Sequence, residues 1–363
     1  MANRLAQDLD QVLARTEPLW HDLRGGRILI TGATGFFGCW LLESFAWANR
    51  RLNLDARAVA LARHPGVLSE KAPHLAEDPA ISCHAADIRS GEFPSGEFSH
   101  VVHAATAASA QLNSDSPLVM FDTIVEGTRR TLRFAESASV ERLLFVSSGA
   151  VYGSQPAALA HVPETFLGGP DPLDRTLAYH EGKRAAEMLC TVAASPRLKV
   201  PIVRCFAFVG PYLPLDEHFA IGNFISDALR GGPIRVQGDG SPLRSYLYAS
   251  DLAVWLWTAL LKGQSGRAYN VGSEDAMPIS ALAHEVAAIA PNKIQVSMAG
   301  QRSAGTGANR YVPSTARARE ELGLAVDVPL REAIRRTYAW HVAGASSAPV
   351  SSPAVSAARG HHA

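Results

Sequence analysis

Residues 27–38 read RILITGATGFFG, a short apolar run that leads through three evenly spaced glycines into a second apolar stretch. The first run is typical of a buried strand, and the second is typical of a helix that covers a sheet. Gly32, Gly35 and Gly38 permit a tight turn between them, and the free N–H groups of the following helix attract a phosphate. The stretch predicts a phosphate-binding turn, with a glycine-rich turn in some other α/β protein as the alternative.

Apolar runs and helical patterns alternate downstream of this turn, which is typical of parallel β–α units. Strands are predicted at residues 56–62, 81–85, 100–105, 142–147 and 200–206, and helices at 116–137 and 176–194. This order predicts an α/β fold with a Rossmann-type doubly wound parallel sheet, whose ligands bind at the carboxyl ends of the strands.

The chain divides by pattern into four parts. We predict an N-terminal helical extension over residues 1–24, a Rossmann domain over 25–209, a smaller C-terminal substrate-binding lobe over 210–342 and a flexible tail over 343–363. The two lobes are expected to be interleaved, because residues 269–272 have the pattern of a strand that returns to the main sheet.

Composition excludes several classes of partner. Lys plus Arg and Asp plus Glu both number 34, so nothing indicates nucleic acid or a polybasic membrane contact. The four cysteines show no metal-ligand spacing, which predicts no metal site. A signal region and a membrane-spanning apolar run are both missing from the pattern, so we expect a cytoplasmic enzyme.

Three residues predict acid–base chemistry. Tyr179 and Lys183 are four apart in a predicted helix and therefore share a face. A nearby ammonium favours the phenolate, so we expect Lys183 to lower the pKa of Tyr179 and allow it to exchange a proton with a sugar or alcohol hydroxyl. Ser148, at the end of the preceding strand, is expected to hold the reacting oxygen.

Arg63 follows the second strand, where an NAD-specific site of this kind usually has Asp or Glu for the ribose hydroxyls. An arginine there can instead pair with a ribose 2′-phosphate, so the cofactor is predicted to be NADP or NAD, with NADP slightly favoured. The alternative is a solvated arginine that opens a loop.

Several segments in order give the chain a strong resemblance to the extended short-chain dehydrogenase/reductase family, in particular to its nucleotide-sugar epimerases and dehydratases. They are TGATGFFG (31–38), DI (87–88), HAA (103–105), SS with VYG (147–148 and 151–153), YHEGK (179–183), RSY (244–246) and YNVG (269–272). The resemblance implies that Ser148, Tyr179 and Lys183 form the catalytic set.

The resemblance also implies the binding residues. The cofactor is expected to contact the glycine turn and the following strand ends, besides Tyr179, Lys183 and Arg63, through Gly32, Thr34, Gly35, Phe36, Phe37, Gly38, Asp87, Ile88, Ala104 and Ala105. Arg244 and Asn223 are expected to bind a nucleoside-diphosphate sugar. A homodimer formed through helices 116–137 and 176–194 is implied in the same way.

Two positions depart from the family pattern and reduce the number of reactions that the chain is expected to catalyse. Dehydratases of the family have an acidic pair after the catalytic hydroxyl residue, and UDP-glucuronate decarboxylases keep the second acid, whereas this chain has Gly149 and Ala150. We therefore predict hydride transfer at the sugar C4, by a 4-epimerase or a 4-ketoreductase. The alternatives are a decarboxylase or 4,6-dehydratase, a non-catalytic NADP-binding sensor and a reductase of a small carbonyl compound.

Overall fold

The computed structural model describes residues 3–106, 110–217, 219–300 and 309–347, and within them the chain forms the following strands and helices. The strands are β1 (Arg27–Thr31), β2 (Arg57–Ala62), β3 (Ile81–Ala85), β4 (His100–His103), β5 (Arg142–Ser148), β6 (Ile202–Cys205), β7 (Phe208–Val209), β8 (Ile234–Val236), β9 (Leu243–Arg244), β10 (Leu247–Tyr248), β11 (Ala268–Val271), β12 (Met277–Pro278), β13 (Val296–Met298) and β14 (Arg310–Tyr311). The helices are α1 (Ala6–Thr16), α2 (Phe36–Leu52), α3 (Gly66–Lys71), α4 (Pro73–Ala76), α5 (Ala110–Asp115), α6 (Pro117–Ser137), α7 (Ala178–Ala193), α8 (Ala220–Leu229), α9 (Ala249–Lys262), α10 (Ile279–Ile289), α11 (Ala316–Leu322) and α12 (Leu330–Ser347).

A seven-stranded parallel sheet forms the centre, in the order β3-β2-β1-β4-β5-β6-β11. Its inner strands are apolar on both faces because helices cover both sides, and Ile28, Leu29 and Ile30 of β1 are all buried. One core packs α2 and α9 on the sheet, and a second packs α6 and α7 on the opposite face. The predicted doubly wound Rossmann-type fold is confirmed.

A smaller lobe follows β7 and has its own core, which joins α8, α10 and α12. Its strands form two short sheets, β12-β9-β14 and β13-β8. The chain then returns through β11, which pairs with β6 at the edge of the main sheet, as the pattern at 269–272 indicates. A cleft of about 1930 Å³ lies between the carboxyl ends of the main strands and this lobe.

The two ends of the described chain contact each other. Tyr248 donates a hydrogen bond to Asp8 of α1 at 2.7 Å, and Arg336 of α12 forms an ion pair with the same carboxylate. The predicted tail starts too early, because α12 continues through the alanine-rich residues after 342 as far as Ser347. The rest of that predicted tail, residues 348–363, lies outside the described residues.

Within the described chain, every helix is too short or too polar to span a bilayer.

Candidate active site

The glycine turn between β1 and α2 faces the cleft. Gly32 has a φ of +70°, and a Cβ there would lie 2.7 Å from the carbonyl oxygen of Ala104, so only glycine fits. Gly35 is the N-cap of α2, and the N–H groups of the first helical turn have no intrahelical acceptors. Thr34, Phe36 and Phe37 line the cleft beside the turn.

Gly38 differs from the prediction that it contacts a pyrophosphate. It is buried in the first turn of α2, and a Cβ there would lie 2.4 Å from the Cα of Ala33. The missing side chain allows the helix to pack closely on the turn, so Gly38 shapes the glycine turn and is not among the residues that line the cleft.

The far end of the cleft carries two guanidinium groups and one carboxylate. Arg63 after β2 and Asp87 after β3 both line it, together with Arg89. The side chain of Arg89 donates to both carboxylate oxygens of Asp87, at 3.1 and 2.9 Å. These hydrogen bonds are the main reason why the pKa of Asp87 falls to about 2, with Arg63 making a smaller contribution. Among these three charges, Asp87 therefore neutralises Arg89, and the positive charge of Arg63 remains.

Beneath the strand ends, a buried hydrogen-bonded chain fixes the floor of the cleft. His103 of β4 bonds Thr31 of β1 at 2.8 Å and Thr128 of α6 at 3.1 Å. Burial lowers the pKa of His103 to about 3, so the ring is neutral and serves as a spacer. The N–H of Ala105 donates to Thr31 at 3.1 Å, and Ala104, Ala105 and Ile88 all line the cleft.

Ser148, Tyr179 and Lys183 come together at the middle of the cleft. Ser148 is the last residue of β5, and its hydroxyl accepts the N–H of Ala150 at 3.2 Å. Tyr179 lies in the first turn of α7, where its N–H donates to the side chain of Asn113 at 3.0 Å. Lys183, one turn further, is buried and donates to Thr106 at 2.8 Å and to the carbonyl of Val146 at 2.7 Å.

The electrostatics of the tyrosine differ from the prediction. Burial raises the pKa of Tyr179, and the group that opposes this rise is the hydroxyl of Ser148, through a hydrogen bond. Lys183 lies 6.0 Å from the ring centroid with its ammonium bound elsewhere, and burial lowers the pKa of this lysine to about 8. The expectation that Lys183 lowers the pKa of the phenol is therefore wrong for this arrangement, because burial and Ser148 have the larger effects.

The space beside Ser148 is filled by aromatic side chains. A Cβ at Gly149 would lie 2.7 Å from the ring of Phe206 and 2.8 Å from the hydroxyl of Tyr311. The next residue, Ala150, lines the cleft with a methyl group. Neither position after the catalytic serine supplies an acid or a base, and the first has no room for one.

The smaller lobe contributes Arg244 of β9 and Asn223 of α8 to the lining of the cleft. Burial lowers the pKa of the Arg244 guanidinium, whose described hydrogen bonds go to the carbonyl of Leu243 and to Asn309. A half-buried guanidinium that meets only neutral oxygens among the described residues favours an anionic ligand. The cleft lining also includes further charged residues, namely Arg230, Arg235, Arg310, Asp216, Glu217 and Asp227.

The sequence matches the model of the NAD dependent epimerase/dehydratase family over residues 28–272. The chain belongs to this family. The match covers the glycine turn, Ser148, Tyr179, Lys183 and the returning strand β11, and it confirms the family resemblance and the enzyme class predicted from the sequence.

Relatives in the family and in its fold catalyse different reactions. UDP-glucuronic acid decarboxylase 6 of Arabidopsis thaliana is 27% identical over 310 residues, which are 85% of this chain and 86% of the relative. The UDP-glucose 4-epimerase of Thermotoga maritima, solved with UDP-glucose, has a TM-score of 0.72 at 20% identity and covers 88% of this chain and 99% of its own. The dTDP-glucose 4,6-dehydratase of Bacillus anthracis, solved with NAD, has a TM-score of 0.72 at 18% identity, with coverages of 88% and 98%. The solved structures agree on the fold alone.

The residues of this chain fit the nicotinamide cofactor that the family name implies. The close approach of Gly32 to Ala104 leaves a backbone cradle at the helix N-terminus, which suits a pyrophosphate. Asp87, Ile88 and Lys183 line the same cleft, where Asp87 and Ile88 would hold the adenosine of the cofactor and Lys183 its nicotinamide ribose. Among the residues that the structure describes, no three His, Cys, Asp or Glu side chains are grouped to hold a metal ion.

Sequence reasoning missed three residues of the site. Arg89 follows Asp87 by two positions, and an arginine so close to the end of a predicted strand could have been identified from the sequence as a residue of the cleft. Thr106, which holds Lys183, follows the predicted strand directly. Tyr311 gave no signal, because it reaches Ser148 from a strand 163 residues away.

Proposed function

We propose that this family member acts on a nucleoside-diphosphate sugar by hydride transfer at the sugar C4, as a 4-epimerase or a 4-ketoreductase. One observation carries the proposal: Ser148, Tyr179 and Lys183 meet in the cleft, while Gly149 and Ala150 leave the adjacent positions without an acid or base. Elimination of water needs such an extra group, whereas oxidation or reduction of an alcohol needs only one proton carrier.

The phenol of Tyr179 moves that proton. When the C4 hydroxyl is oxidised, the phenolate takes the O–H proton, and when the ketone is reduced, the phenol returns it. A bound nicotinamide cofactor accepts or supplies the hydride. Ser148 stabilises the phenolate by its hydrogen bond, and Lys183 is held one helical turn away by Thr106 and Val146, where it places a positive charge near the reacting atoms.

A nucleoside diphosphate is the proposed anchor of the substrate. Arg244 offers a forked guanidinium that is suited to two phosphate oxygens, and Asn223 also lines the cleft. The UDP-glucose carried by the solved 4-epimerase supports this class of ligand.

UDP-glucuronate decarboxylation is the second candidate, because the matching relatives at 27–30% identity are named as such decarboxylases. Oxidation of a glucuronate at C4 yields a β-keto acid, which loses carbon dioxide readily, so the first hydride step is shared. Ala150, where those enzymes are expected to keep an acid, argues for the C4 reaction without carbon loss.

The decisive experiment is a panel of UDP-, GDP-, CDP- and dTDP-sugars that includes UDP-glucuronate, followed by nicotinamide absorbance and product mass. A product of unchanged mass that separates from the substrate by chromatography supports the epimerase, a gain of two hydrogens by a 4-keto sugar with consumption of NADPH supports the reductase, and loss of carbon dioxide supports the decarboxylase. Binding without conversion across the panel would favour a non-catalytic sensor and remove the proposed activity.

For the cofactor, we propose NADP on the basis of Arg63 and Arg89. We expect Arg63→Asp to weaken NADP binding at least about tenfold and to change NAD affinity little, because only the 2′-phosphate uses the extra guanidinium charge. Protein fluorescence titrations with both cofactors provide the measurement.

The matched control for this prediction is Arg57→Asp, an exposed arginine at the opposite end of the same strand. Equal affinities of the wild-type protein for NAD and NADP, or a preference for NAD, would contradict the assignment.

We also propose a homodimer through α6 and α7. These neighbouring helices expose Leu118, Val119, Met188 and Val192, which are 69%, 39%, 64% and 77% exposed. Met188 and Val192 are four apart on α7 and share a face.

We expect Met188→Glu with Val192→Glu to convert a dimer to a monomer in light scattering, whereas Val326→Glu, at an exposed apolar residue outside these helices, leaves the dimer intact. A wild-type monomer would refute the proposal.

A further inference from the structure

Asn113 of α5 contacts the start of the helix that carries Tyr179. Its side-chain amide bonds two main-chain groups there. The amide oxygen accepts the N–H of Tyr179 at 3.0 Å, and the amide nitrogen donates to the carbonyl of Thr176 at 2.6 Å. Asn113 is half-buried and lines the cleft. One side chain from another helix therefore spans the beginning of α7.

The first turn of α7 needs a hydrogen-bond acceptor from outside the helix. The first N–H groups of a helix have no intrahelical acceptor, and a side chain at the N-cap position usually accepts one of them. The N-cap of α7 is Leu177, whose side chain makes no such hydrogen bond. Asp174 accepts the N–H of Thr176 and caps the short 3₁₀ turn that precedes α7. Asn113 therefore supplies the cap of α7 from a different part of the chain.

The same stretch of chain also holds Lys183. Thr106, three residues after β4, accepts a hydrogen bond from the Lys183 ammonium at 2.8 Å and donates its own proton to the carbonyl of Ala105 at 2.8 Å. Helix ends fray more easily than helix interiors, and Tyr179 lies in the first turn whereas Lys183 lies one turn further. The place of the tyrosine therefore depends more strongly on a contact from outside α7.

We propose that Asn113 is a positioning residue that fixes the first turn of α7 and thereby holds the phenol of Tyr179 within reach of the reacting oxygen of the substrate. This inference rests on the proposed function, since it deepens the account of the same acid–base set. It gives α5 a role in the reaction that the proposed function does not assign to it.

The kinetic test compares Asn113→Ala with the wild-type protein. The substitution removes both hydrogen bonds at the start of α7, and a small displacement of a proton carrier slows its reaction strongly. We expect kcat to fall about tenfold to about a hundredfold, while the KM for the sugar nucleotide stays within about threefold because the proposed anchor Arg244 is untouched. Asn113→Asp keeps an oxygen that accepts the N–H of Tyr179, so it should recover most of the lost kcat.

Asn49→Ala is the matched control. The Asn49 amide also bonds two main-chain groups, since it donates to the carbonyl of Ala56 at 3.1 Å and accepts its N–H at 3.0 Å. Asn49 lies in α2 and is not among the residues that line the cleft. This variant should therefore lose stability without a change in kcat.

Three kinetic outcomes would overturn the proposal. An unchanged kcat in Asn113→Ala would show that the phenol does not need this contact. A higher KM with unchanged kcat would show that Asn113 binds the substrate directly. An equal fall of kcat in Asn113→Ala and Asn49→Ala would show that general destabilisation causes the loss.

Hydrogen exchange gives a readout that does not depend on turnover. The N–H groups at the start of α7, followed by mass spectrometry of a peptide that covers residues 176–183, should exchange about tenfold faster in Asn113→Ala and at the wild-type rate in Asn49→Ala. Unchanged exchange in Asn113→Ala would contradict the proposal. If the wild-type protein converts no sugar nucleotide, the proposed function fails, and the exchange rates still decide whether Asn113 fixes the first turn of α7.

Discussion

Tyr179→Phe is expected to reduce turnover by at least about a hundredfold and up to about ten-thousandfold, the range typical of a lost general acid–base group. Cofactor affinity should hardly change, because the substitution removes only the phenolic hydroxyl, and the N–H of residue 179 keeps its hydrogen bond to Asn113 at the start of α7. The measurement combines kcat on the converted sugar nucleotide with a fluorescence titration of the cofactor.

Tyr269→Phe is the control for the loss of a tyrosine hydroxyl, since the hydroxyl of Tyr269 bonds Glu321 at 3.1 Å, away from the cleft. Retention of more than a few per cent of the wild-type activity by Tyr179→Phe would remove Tyr179 from the catalytic role. Loss of cofactor binding in the same variant would instead show that the phenol of Tyr179 maintains the structure of the cofactor site.

Replacement of Arg244 should produce the second large effect, on substrate affinity. Arg244→Gln is expected to weaken the binding of the preferred nucleoside diphosphate by about a hundredfold, because charge-assisted hydrogen bonds to phosphate are lost. Arg244→Lys keeps the positive charge and loses the forked guanidinium, so its affinity for the nucleoside diphosphate should lie between those of the wild-type protein and Arg244→Gln. Calorimetric titration with UDP, GDP, CDP and dTDP in turn gives the affinities.

The control for this series is Arg331→Gln on α12, whose side chain is 75% exposed. A single low affinity shared by wild type and Arg244→Gln would show that the diphosphate does not bind at Arg244. An effect on kcat with unchanged affinity would place the guanidinium in the chemistry instead of the anchor.

Local pattern was enough to predict most of the sheet. The predicted strand 81–85 coincides with β3, and the predicted helix 116–137 differs from α6 by one residue, because apolar periodicity directly reflects which side of an element is buried. The order of Ser148, Tyr179 and Lys183 along the chain was likewise sufficient to bring them to one strand end, since the carboxyl ends of parallel strands meet at one edge.

Properties that depend on distant packing were out of reach of the sequence. The pKa of Tyr179 is governed by burial, which a spacing of four residues does not reveal. Gly38 looks like a third phosphate contact in the pattern, and only its approach to Ala33 shows that it serves packing. Tyr311 lies 163 residues from Ser148 along the chain, so no local signal connects the two.

The return of the chain to the main sheet through β11 constrains how this enzyme can be dissected. β11 covers one side of β6, so a fragment ending at residue 209 would leave β6 with unpaired N–H and C=O groups along an apolar edge. Exposed edges of this kind recruit strands from other molecules and promote aggregation. The nucleotide-binding half is therefore not a module that can be cut out and reused, and the two lobes of this enzyme have to be inherited, expressed and engineered as one piece.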